Sequence, residues 1–127
     1  MSIKFKVIEK GQPGVAGGGE KKFYALAQSS GDMTLTKLTK SIEKVSTVSG
    51  ADIRAVLYAM VDVMKDALAD GQIVRLGDLG SLRISISSNG EDTADKVSAK
   101  SVKAARTIFT PGAELKNQLK NMKYEKA

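Results

Sequence analysis

The chain has 127 residues, 42% of them hydrophobic and 27% charged, enough to build the core of one ordinary domain. It contains no Cys and no His, which excludes thiolate and imidazole metal sites, disulfides, and Cys–His or Ser–His–Asp catalysis, and with them most common enzyme classes. The 20 Lys and Arg against 14 Asp and Glu leave a net charge of +6, a balance that favours polyanionic partners, nucleic acid first and acidic lipid headgroups second.

At the N-terminus Ile3, Phe5 and Val7 alternate with Lys4 and Lys6, the period-two pattern of a half-buried strand. Charges at every second or third position leave no signal-peptide core, and no 18-residue apolar run is present to span a membrane, so a cytoplasmic address is expected. Residues 11–19, with five glycines and a proline, interrupt regular structure, and Lys21-Lys22-Phe23-Tyr24-Ala25-Leu26-Ala27 reads as a second strand. Residues 1–31 are therefore expected to form an antiparallel hairpin extension, docked on the remainder because two isolated strands are marginal in water.

A helix capped by Thr36 follows, with Leu38, Ile42 and Val45 on one stripe, ended by Ser46-Thr47-Val48-Ser49-Gly50. Ser49 with Asp52 approximates a capping box and opens a longer helix whose apolar positions are Ile53, Val56, Leu57, Met60, Val61, Met64 and Leu68. Val63 and Ala67 widen that face, which implies burial on more than one side and hence a dimer. Gln72-Ile73-Val74-Arg75-Leu76 and Ser81-Leu82-Arg83-Ile84-Ser85-Ile86 read as strands around the turn Gly77-Asp78-Leu79-Gly80. Ser87-Ser88-Asn89-Gly90 signals another turn and begins an acidic excursion through Asp95, while residues 96–108 fit helix or strand equally. Thr110-Pro111 marks the start of a final helix carrying Leu115, Leu119 and Met122.

Charge is unevenly distributed. Residues 1–31 carry net +3, residues 32–72 net −1, residues 73–95 net −2 and residues 96–127 net +6. In the last segment Lys116, Lys120 and Lys123 are spaced i, i+4, i+7 beside the apolar stripe of the final helix, and Lys96, Lys100, Lys103 and Arg106 form a second cluster upstream. Such a stripe either meets a polyanion or serves as a solvated face. The glycine segment 11–19 lacks the Lys-Ser/Thr of a nucleotide-binding loop, and Ser41-Ile42-Glu43-Lys44 lacks the partner motifs of acyl-transfer enzymes. Glu91, Asp92 and Asp95 do not fit a calcium-loop spacing and read as a solvated turn. Neither a cofactor nor a metal is implied.

The order helix, longer helix, glycine-turn hairpin, arm, then Phe109-Thr110-Pro111-Gly112-Ala113-Glu114-Leu115-Lys116 and a last helix resembles the HU and integration host factor family of bacterial DNA-binding proteins. The resemblance covers residues 34–123 and rests most on that segment, on Asp70-Gly71-Gln72-Ile73-Val74-Arg75-Leu76 and on Leu79-Gly80-Ser81-Leu82. It implies an α+β fold over residues 32–127, preceded by the hairpin extension of residues 1–31. It further implies an intertwined homodimer that holds double-stranded DNA on a saddle, β-arms in the minor groove and helix N-termini at phosphates. Gly80 and Ser81 would then offer backbone N–H groups to phosphate, Arg83 would lie on the rising arm strand and Lys116 on the flank. The family's proline-tipped arm is absent here, where Asn89-Gly90-Glu91-Asp92-Thr93-Ala94-Asp95 stands, Asp78 replaces a turn glycine and Ala113 a frequent lysine.

The resulting expectation is a non-catalytic, nucleoid-associated homodimer binding duplex DNA with little sequence preference through Gly80, Ser81, Arg83, Lys96, Lys100, Lys103, Arg106, Lys116, Lys120 and Lys123. The alternative is a protein-interaction module on the same fold whose hairpin meets a partner. Binding to an acidic membrane surface is a third, weaker possibility.

Overall fold

The computed structural model describes every residue from Met1 to Ala127. Its elements are β1 (Ile3–Lys10), β2 (Lys22–Gln28), α1 (Leu35–Val45), α2 (Gly50–Ala69), β3 (Val74–Arg75), β4 (Gly80–Ser88), β5 (Val102–Pro111), α3 (Ala113–Lys120) and β6 (Tyr124–Lys126). Two compact units result, one made of Met1–Leu38 with Leu119–Ala127, the other of Thr39–Gln118.

In the first unit the expected hairpin forms with the antiparallel register Phe5↔Ala27 and Ile8↔Tyr24. Its third strand comes from the other end of the chain: β6 runs parallel to β1, pairing Ile3 with Tyr124 and Phe5 with Lys126. The Ile3 N–H donates to the Lys123 carbonyl at 2.8 Å and the Ala127 N–H to the Phe5 carbonyl at 2.9 Å. A third strand lifts the sheet beyond the marginal stability of two. Three residues carry too short a pattern for alternation to reveal β6 in advance.

The two helices α1 and α2 follow from local capping. Ser49 Oγ accepts from the Asp52 N–H at 3.3 Å, as its spacing predicts. The cap of α1 is corrected: Thr34 Oγ1, two positions before Thr36, accepts from the Lys37 N–H at 3.3 Å. Glu43 ties α1 to the start of α2, its carboxylate accepting from the Gly50 N–H at 2.7 Å. Along α2 the apolar residues fall into two adjoining stripes. Leu57, Met64 and Leu68 are half-buried, and α2 packs against β3 and β4. The stripe Val56, Met60 and Val63 is left bare, Val63 at 68% exposure.

Strands β3, β4 and β5 form an antiparallel sheet with β4 in the middle, paired as Arg75↔Ser81, Ser81↔Thr110, Arg83↔Ile108 and Ser85↔Arg106. The turn before β4 is locked onto the start of α3, because the Gly112 N–H donates to the Leu79 carbonyl at 3.0 Å. Gly80 stands at φ 141°, and a Cβ there would collide with the Thr110 carbonyl oxygen. Gly80→Ala is therefore expected to lower stability by about 2–4 kcal/mol, seen as a reduced urea midpoint with unchanged slope.

The ladder of β4 and β5 continues to Ser88↔Val102, where a bulge leaves Lys103 without a partner on β4. Beyond it the acidic excursion closes into a polar knot around Ser101, only 3% exposed. The Ser101 hydroxyl donates to Glu91 at 2.9 Å and accepts from the Ser98 N–H at 3.1 Å, while the Ser101 carbonyl accepts from the Asn89 N–H at 2.7 Å. Ser101→Ala should cost about 1–2 kcal/mol locally, measured as faster amide exchange at Ser98 and Asn89 while the helices are unaffected.

The ambiguity over residues 96–108 resolves into two short 3-10 turns, Ala94–Lys96 and Ala99–Ser101, followed by strand. The final helix is shorter than expected. Thr110 and Pro111 close β5, the helix begins at Ala113, and it ends at Lys120, because the chain must turn to deliver β6 to β1. Met122 and Lys123 consequently lie outside it.

A candidate nucleic-acid interface

Register decides which charges share a surface. Directly paired residues on neighbouring strands point the same way, so one face of the β3-β4-β5 sheet carries Arg75, Ser81, Thr110, Arg83, Ile108, Ser85, Arg106 and Ser87. The opposite face carries Val74, Leu82, Phe109, Ile84, Thr107, Ile86 and Ala105. The first face holds three guanidinium groups, a row of hydroxyls and no carboxylate. Each arginine belongs to a different strand and is displaced by one row, so they form a diagonal stripe with successive Cα atoms about 8 Å apart.

All three arginines are exposed, whereas Ser81 and Ser85 are half-buried. Near the head of the stripe a shallow cleft of about 320 Å³ is lined by Arg75, Gly77, Gly80, Ser81, Thr110 and Gly112. Guanidinium groups suit phosphate because their planar fork donates in pairs and remains charged at every physiological pH. Arg75 is absent from the candidates that sequence reasoning supplies. The alternation Val74-Arg75-Leu76 already sets it apart from its apolar neighbours, but only the pairing with Ser81 puts it on the face that Arg83 and Arg106 share.

The other sequence-derived candidates are distributed along the fold. Gly80 is buried at the start of the middle strand, and Ser81 lies between Arg75 and Thr110, so its hydroxyl is the group the face presents. Lys96 and Lys100 are exposed in the 3-10 turns between β4 and β5, and Lys103 is exposed at the bulge. Lys116 and Lys120 are exposed one turn apart on α3. Lys123 is separated from that pair by the end of the helix, which breaks the expected three-lysine stripe; its carbonyl instead serves β1.

The connection between β4 and β5 also carries anions. Glu91, Asp92 and Asp95 are all exposed, and the Thr93 hydroxyl together with the backbone N–H of Asp95 holds the Asp95 carboxyl below the usual carboxylate range, so it is anionic at neutral pH. No three Asp or Glu side chains converge into a group that could hold a metal ion. No helix is long and apolar enough to cross a membrane.

Helix α2 packs against the three-stranded β3-β4-β5 sheet, one face of which carries three exposed arginines. The chain belongs to the HU-HIG family, described as an HU domain fused to a wHTH, Ig or glycine-rich motif, whose model matches residues 1–126. Membership in an HU-like DNA-binding family places it among non-catalytic proteins. None of the curated proteins matches the chain. A crystal structure from Bacteroides vulgatus ATCC 8482, of a protein assigned provisionally as a bacterial DNA-binding protein, is similar at 18% identity with a TM-score of 0.60. That similarity covers 99% of this chain and 49% of the other, so the chain spans about half the length of that relative.

Proposed function

We propose that the chain binds the phosphate backbone of double-stranded DNA as a nucleoid-associated homodimer in the bacterial cytoplasm, with little sequence preference. The observation that carries this reading is the diagonal of Arg75, Arg83 and Arg106 on a sheet face free of carboxylates. Ser81, beside Gly80, supplies a hydroxyl to the same face, and Lys96, Lys100, Lys103, Lys116, Lys120 and Lys123 add further exposed cations to the chain. Contacts of this kind neutralise phosphates without reading base edges, which gives affinity and register but no sequence information. The arm tip carries carboxylates and no proline wedge, so the reading includes weaker binding and less bending than intercalating arms produce.

The dimer is supported by what the single chain leaves uncovered. A folded monomer of 13.5 kDa exposes about 6,500 Å² by the usual scaling, whereas this chain exposes 10350 Å². Ile53 is its one buried hydrophobic residue, and Val56, Val61, Val63, Ile86 and Phe109 are between 46% and 68% exposed. A second copy supplies a self-complementary cover for such faces. Exposed Phe23 and Val7 on the N-terminal sheet favour a second reading, a protein-interaction module on the same fold.

A titration of random-sequence duplex at several salt concentrations tests the function. Linear loss of log affinity with log salt, indifferent to sequence, is the expected outcome; no binding at low salt would give the interaction module the lead. The variant Lys116→Glu with Lys120→Glu should lower the slope by about 2 per chain, since each phosphate left unneutralised removes about 0.9.

A further inference from the structure

We infer that the N-terminal sheet carries a second surface for duplex DNA, made by Lys4, Lys6, Lys10 and Lys22. The inference rests on the proposed DNA binding and adds a site to it. Register again selects the face. Lys4 pairs with Gln28, Lys6 with Leu26, Ile8 with Tyr24 and Lys10 with Lys22, so these residues point to one side of the sheet. Ile3, Phe5, Val7, Ala25, Ala27 and Phe23 occupy the other. The Lys10 ammonium lies 4.9 Å from the centroid of the Tyr24 ring, which places both side chains on the lysine face.

Two features distinguish this face from a generic solvated surface. Lys10 and Lys22 stand directly opposite one another, an arrangement of like charges that costs stability in a sheet unless an anion relieves it. Its only carboxylate is Glu125, at the register position of Lys4, and that group accepts a hydrogen bond from the Ser2 hydroxyl at 2.9 Å. All four lysines are exposed. From Lys4 to Lys10 the row extends about 20 Å along one strand, the dimension of a phosphate track rather than of a small anion. A long, regular polyanion meets that row best.

The test is the salt dependence of duplex binding for the full chain and for a variant with Lys4, Lys6, Lys10 and Lys22 all changed to Gln. The slope of log K against log salt is expected to fall by about 3 to 4 per chain, while the fourfold Lys→Arg variant retains it. Lys126→Gln, on the apolar face opposite Phe5, should leave the slope unchanged. On the unaltered protein, bound duplex should protect the four lysines, and not Lys126, from acetylation, a measurement independent of how the variants fold. If the wild type binds duplex and the Gln variant binds with the same slope, or acetylation is unaffected by DNA, this surface is overturned and the arginine stripe stands. A Gln variant that loses binding to anionic phosphatidylserine vesicles while its duplex binding is intact would also overturn it, in favour of a membrane role. A wild type that binds no duplex at low salt defeats both readings.

Discussion

Changing Arg75, Arg83 and Arg106 together to Ala is expected to weaken binding to random-sequence duplex by at least about 100-fold at physiological salt, and to flatten the salt dependence by up to about 3 per chain. The three guanidinium groups lie on one sheet face, are exposed, and share it with hydroxyls and no carboxylate, so their removal subtracts attraction without leaving a buried charge. Stability should change little, since exposed substitutions away from caps and cores usually fall within about 0.5 kcal/mol. An unaltered melting curve with a flattened slope is thus the expected combination. Restoring charge as Lys should recover most of the slope and only part of the affinity, because an ammonium lacks the paired donors of the guanidinium fork. Retained affinity in the Ala variant would move the DNA surface elsewhere.

Val63→Glu is expected to cost about 2–4 kcal/mol and to convert the proposed dimer into a poorly folded monomer. In the single chain Val63 is 68% exposed, and a carboxylate at such a position should be nearly silent. The opposite expectation follows from its neighbours. Val56, Met60 and Val63 form one exposed stripe of α2, and Ile53 is the only buried residue of that helix. If a second copy supplies the missing cover, the new carboxylate is desolvated with no partner. Sedimentation or light scattering gives the mass and a thermal melt gives the stability. A wild-type monomer, or a Glu variant with unchanged mass and melting temperature, would show that the stripe is wet in solution.

Local patterns made much of this architecture legible. Strand alternation at Ile3, Phe5 and Val7, the Ser49 cap and the long apolar helix after it, the glycine turn at residues 77–80 and the last helix after Pro111 all depend on a few neighbouring residues, and each element is present. Exact ends were less accessible. Thr34 rather than Thr36 caps α1, and Lys123 lies beyond α3, because hydrogen-bond geometry and the demand of β6 for its place beside β1 choose between equally acceptable residues.

Composition and order therefore determined the net positive charge, the succession of elements and the absence of the cysteine and histidine that common catalytic and metal sites need. Tertiary structure decided which charges act together. Alternation tells that Arg75 and Arg83 point away from their apolar neighbours and leaves Arg106 open between helix and strand, but the pairings Arg75↔Ser81, Ser81↔Thr110 and Ser85↔Arg106 are what align all three on one surface. In the same way Lys10 meets Lys22 only through the hairpin register, and the hairpin gains its third strand from residues 124–126, at the far end of the chain. Side-chain direction within a strand is a local consequence of the pleat, whereas register is set by the ladder as a whole, so a slip of one residue would have sent the cations of the slipped strand to the face opposite their partners.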